Sequence, residues 1–239
     1  MGVSGNGFLG GRIVAVQPED GFRAGHDTVL LAAAVPALAG QHVLELGAGA
    51  GIASLCLAAR VPDVRILGVE LDPALVTMAD ANAAANGMES RVSFVAGDVA
   101  AFVGDGTFDH VFFNPPFHPV SGRKSRDPAR DLAMRDTAGA IAAWTRVALA
   151  AVKQGGTVTA TLRADRKDEM LAAATGMGVV VFPLFPRLGV EPKRVIVRIE
   201  KNASAGLRTA TGLTLHEADG RNTQAAEAVL RHAAALDWD

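Results

Sequence analysis

Short apolar runs alternate with helical patterns along most of the 239-residue chain. Seven runs are predicted to be strands: Val43 to Leu46, Val64 to Val69, Val92 to Val95, His110 to Phe113, Thr157 to Leu162, Val179 to Pro183 and Val195 to Ile199. Helical patterns lie between most of them. This rhythm predicts an α/β fold with a doubly wound, Rossmann-like sheet of seven strands and crossover helices.

The last two predicted strands differ from the others because only residues 184–194 join them. That segment is too short for a crossover helix, so the two strands are expected to pair as a late antiparallel hairpin. We expect a single domain over residues 1–239: a flexible start and a helix from Thr28 to Leu38 within 1–40, a core over 41–201, and an extension over 202–239. The extension is polar and glycine-containing, with a helix from Thr223 to Ala234.

Composition narrows the class of protein. Nearly half of the residues, 49%, are apolar, which allows a sizeable core. A formal net charge of -2 excludes a uniformly basic nucleic-acid coat, although a local basic patch is still compatible with it. A polyanionic partner would therefore have to be bound locally.

Several features bear on the compartment. The single cysteine, Cys56, cannot form an internal disulfide, and its alanine-rich helical surroundings predict a packing role in a reducing compartment. The glycine-rich start lacks the apolar core of a signal peptide, and the run from Val29 to Ala39 is short and interrupted by Pro36. We therefore expect a cytoplasmic protein without a membrane partner.

A glycine loop follows the first predicted strand and precedes a helix from Ile52 to Ala59; it reads Gly47, Ala48, Gly49, Ala50, Gly51. Glycines let the backbone approach a ligand closely, and the helix start offers unpaired amide donors. A tight strand-to-helix turn would show the same pattern. Glu70 ends the next strand about 20 residues later, where a carboxylate can accept hydrogen bonds from both ribose hydroxyls of a cofactor, NAD included.

Two further acidic residues favour S-adenosylmethionine over a dinucleotide. Glu45 precedes the first glycine by two residues, and Asp98 follows the third strand, where it can meet an adenine amine. A capping role for Asp98 is an equally good interpretation, and Asp72 is expected to cap the helix that begins at Pro73. The predicted cofactor contacts are Glu45, Gly47, Ala48, Gly49, Gly51, Glu70, Leu71, Asp98, Val99 and Asn114.

A proline turn, Asn114 to Phe117, follows the fourth predicted strand at the edge of the sheet where ligands bind. Prolines stiffen it, and Phe117 is placed to stack on a planar group. If the Asn114 side-chain oxygen and the Pro115 carbonyl each accept a hydrogen from a conjugated amine, they favour charge on nitrogen and aim its lone pair at a sulfonium methyl. The predicted catalytic residues are Asn114, Pro115 and Phe117; the alternative is a proline-rich loop with an incidental aromatic.

The glycine loop with its acidic residues resembles the class I methyltransferase pattern, and the turn resembles the Asn-Pro-Pro-aromatic signature of amino-methyltransferases. With the segment Phe22 to Leu31, the chain is most similar to the bacterial tRNA adenine-N6-methyltransferases that modify valine tRNA, from about Val14 to Leu236. The resemblance implies that Glu45 orders the loop. It also implies cofactor contacts from Arg23, Gly25 and Asp27, although Asp27 is equally suited to cap a helix.

The chain departs from that family in two places. Phe117 stands where tyrosine is commoner, but its ring can still stack on a base. Asn222 precedes Thr223 where tyrosine is expected, which leaves RNA specificity open.

Cations follow the turn and would neutralise phosphates, or else form a solvated loop with nearby acids. The predicted substrate contacts are Pro116, Phe117, His118, Arg123, Lys124 and Arg126, with pocket lining as the alternative for His118.

The leading prediction is methylation of the N6 amine of adenine in RNA, with tRNA as the partner and S-adenosylmethionine as the cofactor. The same turn would suit a glutamine side chain of a protein or adenine in DNA. A module that binds the cofactor or RNA without catalysis is a further alternative, which an intact Asn114 disfavours. The six histidines show no metal-ligand spacing, so no metal is expected.

Overall fold

A computed structural model describes residues 3–19, 22–115 and 139–239. The strands are β1 (Val3–Phe8), β2 (Ile13–Pro18), β3 (His42–Leu46), β4 (Arg65–Glu70), β5 (Val92–Ala96), β6 (Phe108–Phe113), β7 (Val152–Arg163), β8 (Gly178–Arg187), β9 (Arg194–Glu200), β10 (Leu207–Thr209) and β11 (Leu213–His216). The helices are α1 (His26–Ala34), α2 (Ile52–Arg60), α3 (Pro73–Ala85), α4 (Ala140–Ala151), α5 (Lys167–Ala173) and α6 (Gln224–His232).

The main sheet has the strand order β10-β8-β9-β7-β6-β3-β4-β5, and β11 also pairs with β8. Strand β9 is antiparallel to both of its neighbours, β7 and β8, whereas the other pairs in this sheet are parallel. The α/β fold and the late antiparallel hairpin are therefore confirmed. We call the edge where β3 to β8 and β11 end the carboxyl edge of the sheet.

The prediction of seven strands was incomplete, because the described residues form nine strands of the main sheet. The polar stretch after Lys201 contributes β10 and β11, which pair in parallel with β8. All three residues of β10 are exposed, so no apolar run marks this strand in the sequence. The predicted flexible start was also wrong: residues 3–18 form an antiparallel hairpin of β1 and β2.

Helix boundaries follow local chemistry. Helix α1 ends at Ala34, before the predicted Leu38, because Val35 precedes Pro36 and takes extended backbone angles. Helix α3 begins at Pro73, and the Asp72 carboxylate accepts a hydrogen bond from the Ala74 amide at 2.9 Å, as the predicted cap requires. Strand β7 begins at Val152, five residues before the predicted Thr157.

Two apolar clusters pack on opposite faces of the sheet. The first joins Leu30 of α1 and Leu55 of α2 with Val43 of β3. The second includes Leu44 of β3 and Leu149 of α4. Cys56 lies buried in the first cluster, and burial raises the pKa of its thiol to about 12, which confirms the predicted packing role. None of the helices in the described ranges has both the length and the apolar composition of a membrane span.

Candidate active site at the carboxyl edge

The glycine loop joins β3 to α2, and three of its glycines have positive φ: 70° at Gly47, 57° at Gly49 and 81° at Gly51. A Cβ at Gly47 would lie 2.7 Å from the Trp144 ring, and one at Gly51 would lie 2.6 Å from the Phe94 ring. A Cβ at Gly49 would meet no atom of the described residues within 4 Å. Packing therefore supports the loop at both ends, and Gly49 faces open space that a ligand can approach.

The Glu70 carboxylate lies against this loop. Its Oε2 atom accepts a hydrogen bond from the Gly49 amide at 2.8 Å, and its Oε1 atom accepts one from the Asp72 amide at 3.0 Å. Each carboxylate oxygen has a second lone pair, so both can also accept from ribose hydroxyls. Leu71 follows at the surface and is 39% exposed.

Glu45 is buried beneath the loop, where its Oε2 atom accepts hydrogen bonds from Ser54 Oγ at 2.5 Å and from the Ser54 amide at 3.1 Å. These bonds attach β3 to the first turn of α2, directly after the loop. The pKa of Glu45 is raised to about 8, chiefly by burial; the Ser54 hydrogen bonds oppose this rise, and the Glu70 charge adds to it. The ordering role that the resemblance implies for Glu45 is consistent with these contacts.

Asp98 is exposed, and its Oδ1 atom accepts a hydrogen bond from the Ala100 amide at 2.8 Å. This bond caps a short 3-10 turn, Val99–Ala101, in which Val99 is buried. The capping interpretation of Asp98 is therefore present in the structure. The contact with an adenine amine stays a prediction, which the second carboxylate oxygen would have to make.

The segment before the first core strand binds other protein groups. The Arg23 guanidinium donates hydrogen bonds to the Ser4 hydroxyl at 2.8 Å and the Pro18 carbonyl at 3.0 Å, on the β1–β2 hairpin. Asp27 lies in the first turn of α1 and forms an ion pair with Arg194 at 3.1 Å. Gly25 precedes α1 as its N-cap residue. The cofactor contacts predicted for these residues stay predictions.

Asn114 directly follows β6, where Phe113 is paired with Leu46 of β3. The register therefore puts Asn114 and Gly47 at equivalent positions, one residue past the carboxyl ends of two neighbouring parallel strands. The Oδ1 atom of Asn114 is buried and accepts no hydrogen bond from any described residue. A buried acceptor without a donor costs free energy, so this atom is available to a ligand that brings a donor.

Pro115 is buried next to Asn114. The rest of the predicted catalytic and substrate set lies outside the described residues, namely Pro116, Phe117, His118, Arg123, Lys124 and Arg126.

Two residues that the sequence interpretation missed complete the site. Trp144 of α4 contacts Phe113 edge to face, with ring centroids 5.8 Å apart, and it also packs against Gly47. Asn82 of α3 donates a hydrogen bond from Nδ2 to the Ala50 carbonyl at 2.9 Å. The one available signal for Trp144 is that the chain has only two tryptophans. Asn82 carries no signal, because its partners lie far away in the chain.

The described residues fit S-adenosylmethionine. Open space above Gly49 admits a ligand, the Glu70 carboxylate offers paired acceptors beside that space, and the unpartnered Oδ1 of Asn114 lies next to the same loop. These three features place cofactor and acceptor contacts side by side at the carboxyl edge.

Comparison with known sequences supports this interpretation of the site. Residues 23–134 match the family model of the Methyltransferase small domain. The tRNA1(Val) (adenine(37)-N6)-methyltransferase of Aeromonas hydrophila is 31% identical over 207 residues, which cover 83% of this chain and 84% of the relative. The enzyme of the same name from Actinobacillus succinogenes is 29% identical over 224 residues, which cover 92% of this chain and 93% of the relative.

Solved structures show the same fold. A predicted O-methyltransferase from Agrobacterium tumefaciens superposes with a TM-score of 0.74 at 24% identity, covering 88% of this chain and 98% of the other. An S-adenosylmethionine-dependent O-methyltransferase from Thermotoga maritima gives a TM-score of 0.55 at 16% identity, covering 77% and 67%. At these identities the likeness concerns the fold and carries no information about the acceptor atom.

Proposed function

Because this chain belongs to the tRNA1(Val) (adenine(37)-N6)-methyltransferase family, we propose that it methylates the N6 amine of adenine 37 in a valine tRNA. The protein is an S-adenosylmethionine-dependent methyltransferase, as the resemblance in its sequence implied. The proposal adds the acceptor atom, RNA as the partner and the cytoplasm as the compartment.

One observation carries the proposal. The Asn114 Oδ1 atom is buried and unpartnered among the described residues, and it lies one strand away from the cofactor loop. An amine hydrogen of a planar base would supply the missing donor. Because Oδ1 can only accept, a substrate group that meets this atom must carry hydrogen.

The cofactor supplies an electrophilic methyl group when bound. Glu70 and the open face of the glycine loop at Gly49 are the parts of this chain that would hold it. The Glu70 carboxylate is itself fixed by two backbone amides, so it is preorganised for the ribose hydroxyls.

Asn114 and Pro115 act on the acceptor. The lone pair of an adenine amine is delocalised into the ring, which makes the amine a weak nucleophile. Hydrogen bonds from its two hydrogens to Asn114 Oδ1 and to the Pro115 carbonyl would stabilise positive charge on the nitrogen as the carbon–nitrogen bond forms. The methyl carbon–sulfur bond would break at the same time, and S-adenosylhomocysteine would be the leaving group. The methylated, cationic amine then loses a proton to water, so the reaction needs no strong general base.

A methylation assay with labelled S-adenosylmethionine tests the proposal. The acceptors are an unmodified valine tRNA transcript with adenine at position 37, the same transcript with guanine there, a DNA duplex and a protein extract. We expect label in the adenine-37 transcript and background in the guanine transcript. Label in protein or DNA with none in tRNA would refute the proposal in favour of the glutamine or DNA alternative.

A further inference from the structure

The tip of the β8–β9 hairpin, residues Arg187 to Arg194, extends from the carboxyl edge of the sheet. Strand β8 is antiparallel to β9, which is antiparallel to β7, and β7 is parallel to β6. Strands β8 and β6 therefore run in the same direction. The hairpin tip emerges at the same edge as Asn114, a relation that the sequence does not fix.

The register of the sheet gives the distance between the hairpin tip and Asn114. Phe113 pairs with Ala160, Ala160 with Val197, and Val197 with Val181. Three strand spacings separate β6 from β8, about 14 Å across the sheet, and Leu188 lies up to about 20 Å farther along the strand direction than Asn114. A ligand that touches both must be much larger than a nucleoside; if the substrate is RNA, the contact involves several nucleotides.

The chemistry of the tip suits a polyanion with apolar faces. Leu188 is 90% exposed and Val190 is 44% exposed. Arg187 and Lys193 are exposed beside them and form no ion pair with any residue in the described part of the chain. Glu191 is the only carboxylate in this segment. The tip therefore carries positive charge on both sides of the exposed Leu188 and Val190, although the whole chain carries a net charge of -2.

The tip is also held in place. The Val190 amide donates a hydrogen bond to the Arg187 carbonyl at 3.1 Å, and Gly189 between them has a φ of 74°, which makes a tight turn with Leu188 at its corner. At its other end, Arg194 forms the ion pair with Asp27 of α1. A rigid surface loses little conformational entropy when it binds.

We infer that the hairpin tip is an RNA-binding arm of the active site. Arg187 and Lys193 bind phosphates of the tRNA several nucleotides from the target adenine, and Leu188 packs against a nucleobase. The inference rests on the proposed function, because it takes tRNA as the substrate. Charge complementarity favours RNA over a protein partner, since the cations flank the apolar residues and are unpaired among the described residues.

Two variants of the tip test the inference, each with a matched control at the opposite edge. Leu188→Ala is paired with Val103→Ala, because Val103 is 88% exposed and its neighbour Gly104 lies against the last residues of α4, just before β7 begins. The double variant Arg187→Gln, Lys193→Gln is compared with Arg65→Gln, an exposed cation at the start of β4. Binding of the valine tRNA transcript is measured at several salt concentrations, together with kcat and KM for methylation.

We expect Leu188→Ala to raise the Kd for tRNA about fivefold, the lower end of the cost of a lost base contact. The double glutamine variant should reduce the slope of log Kd against log salt concentration by about 0.7 for each lost phosphate contact. Both should raise KM and leave kcat and cofactor affinity within twofold of the wild type. The two controls should bind tRNA like the wild type.

Wild-type activity on tRNA together with tip variants that behave like their controls would overturn the inference and leave the proposed function intact. A change of oligomeric state in Leu188→Ala, measured by sedimentation with tRNA binding unaltered, would also overturn it and identify a self-association surface. If the wild type methylates no tRNA, the proposed function fails, and this inference fails with it.

Discussion

Asn82 on α3 donates a hydrogen bond from Nδ2 to the carbonyl oxygen of Ala50 in the glycine loop, at 2.9 Å. The same amide group pairs with β2: its Oδ1 atom accepts from the Val16 amide at 2.8 Å, and Nδ2 donates to the Val16 carbonyl at 2.9 Å. The buried Asn82 side chain thus joins the hairpin of β1 and β2 to the glycine loop. Asn86, one helical turn later, binds Val14 in the same way but does not reach the loop.

This relationship gives a prediction with an internal control. Asn82→Ala removes three hydrogen bonds and leaves the buried Ala50 carbonyl without this donor, so we expect a loss of about 2–3 kcal/mol in the free energy of unfolding. It should also weaken S-adenosylhomocysteine binding, measured by titration calorimetry, because the loop loses its support. Asn86→Ala should lose stability and keep cofactor affinity. Equal cofactor affinity in the two variants would show that Asn82 does not position the loop.

The glycines of the loop are predicted to differ in what they tolerate. Gly51→Ala places a methyl group 2.6 Å from the Phe94 ring at a positive φ, so we expect a stability loss of more than about 2 kcal/mol. Gly49→Ala meets open space and carries only the cost of its positive φ, about 1–2 kcal/mol. Urea unfolding measures both. Gly49→Ala should nevertheless bind the cofactor weakly, because its methyl group enters the space above the loop.

How much of this site the sequence predicts depends on whether the signal is local. The strand at Val43, the glycines and Glu70 follow one another within one βαβ unit, so periodicity and spacing locate them. Asn82 and Trp144 take their roles from packing against residues far away in the chain, which no spacing rule contains. Strand β10 is short, exposed and added to β8 by tertiary pairing, so its composition resembles a loop.

Asn114 is predicted to matter for turnover and not for folding. Asn114→Ala should reduce kcat by about 10²–10³, the usual cost of removing one preorganised group that stabilises developing charge. The Kd for S-adenosylhomocysteine should stay within a few-fold of the wild type. Because the Oδ1 atom has no partner among the described residues, its removal relieves desolvation, and the melting temperature should not fall.

Asn114→Asp serves as the control for this variant. A carboxylate oxygen can still accept an amine hydrogen, so this variant should retain more turnover than Asn114→Ala. Comparable losses of kcat and cofactor affinity in the alanine variant would show instead that Asn114 holds the cofactor or the fold.

The last prediction concerns the pH dependence of stability and rests on His110, which lies at the opposite edge of the sheet from Asn114. It is buried, with Nδ1 2.8 Å from Thr157 Oγ1 and Nε2 3.0 Å from Gln41 Oε1. The amide oxygen of Gln41 can only accept, so Nε2 carries the proton and Nδ1 accepts from the threonine hydroxyl. Burial lowers the pKa of His110 from 6.5 to about 4; the Asp109 charge opposes this shift, and nearby cations add to it.

The folded protein therefore holds His110 neutral, while the unfolded chain takes up a proton below about pH 6.5. The contribution of neutral His110 to the free energy of unfolding is complete above about pH 6.5 and is lost as the pH falls from 6.5 towards 4. Between pH 7.5 and pH 5, we expect this histidine to account for a loss of about 2 kcal/mol in the free energy of unfolding, measured in urea. His110→Gln has no titrating ring, so it should start less stable at pH 7.5 but lose less on acidification. Parallel losses in the two proteins would assign the acid sensitivity between pH 7.5 and pH 5 to groups other than His110.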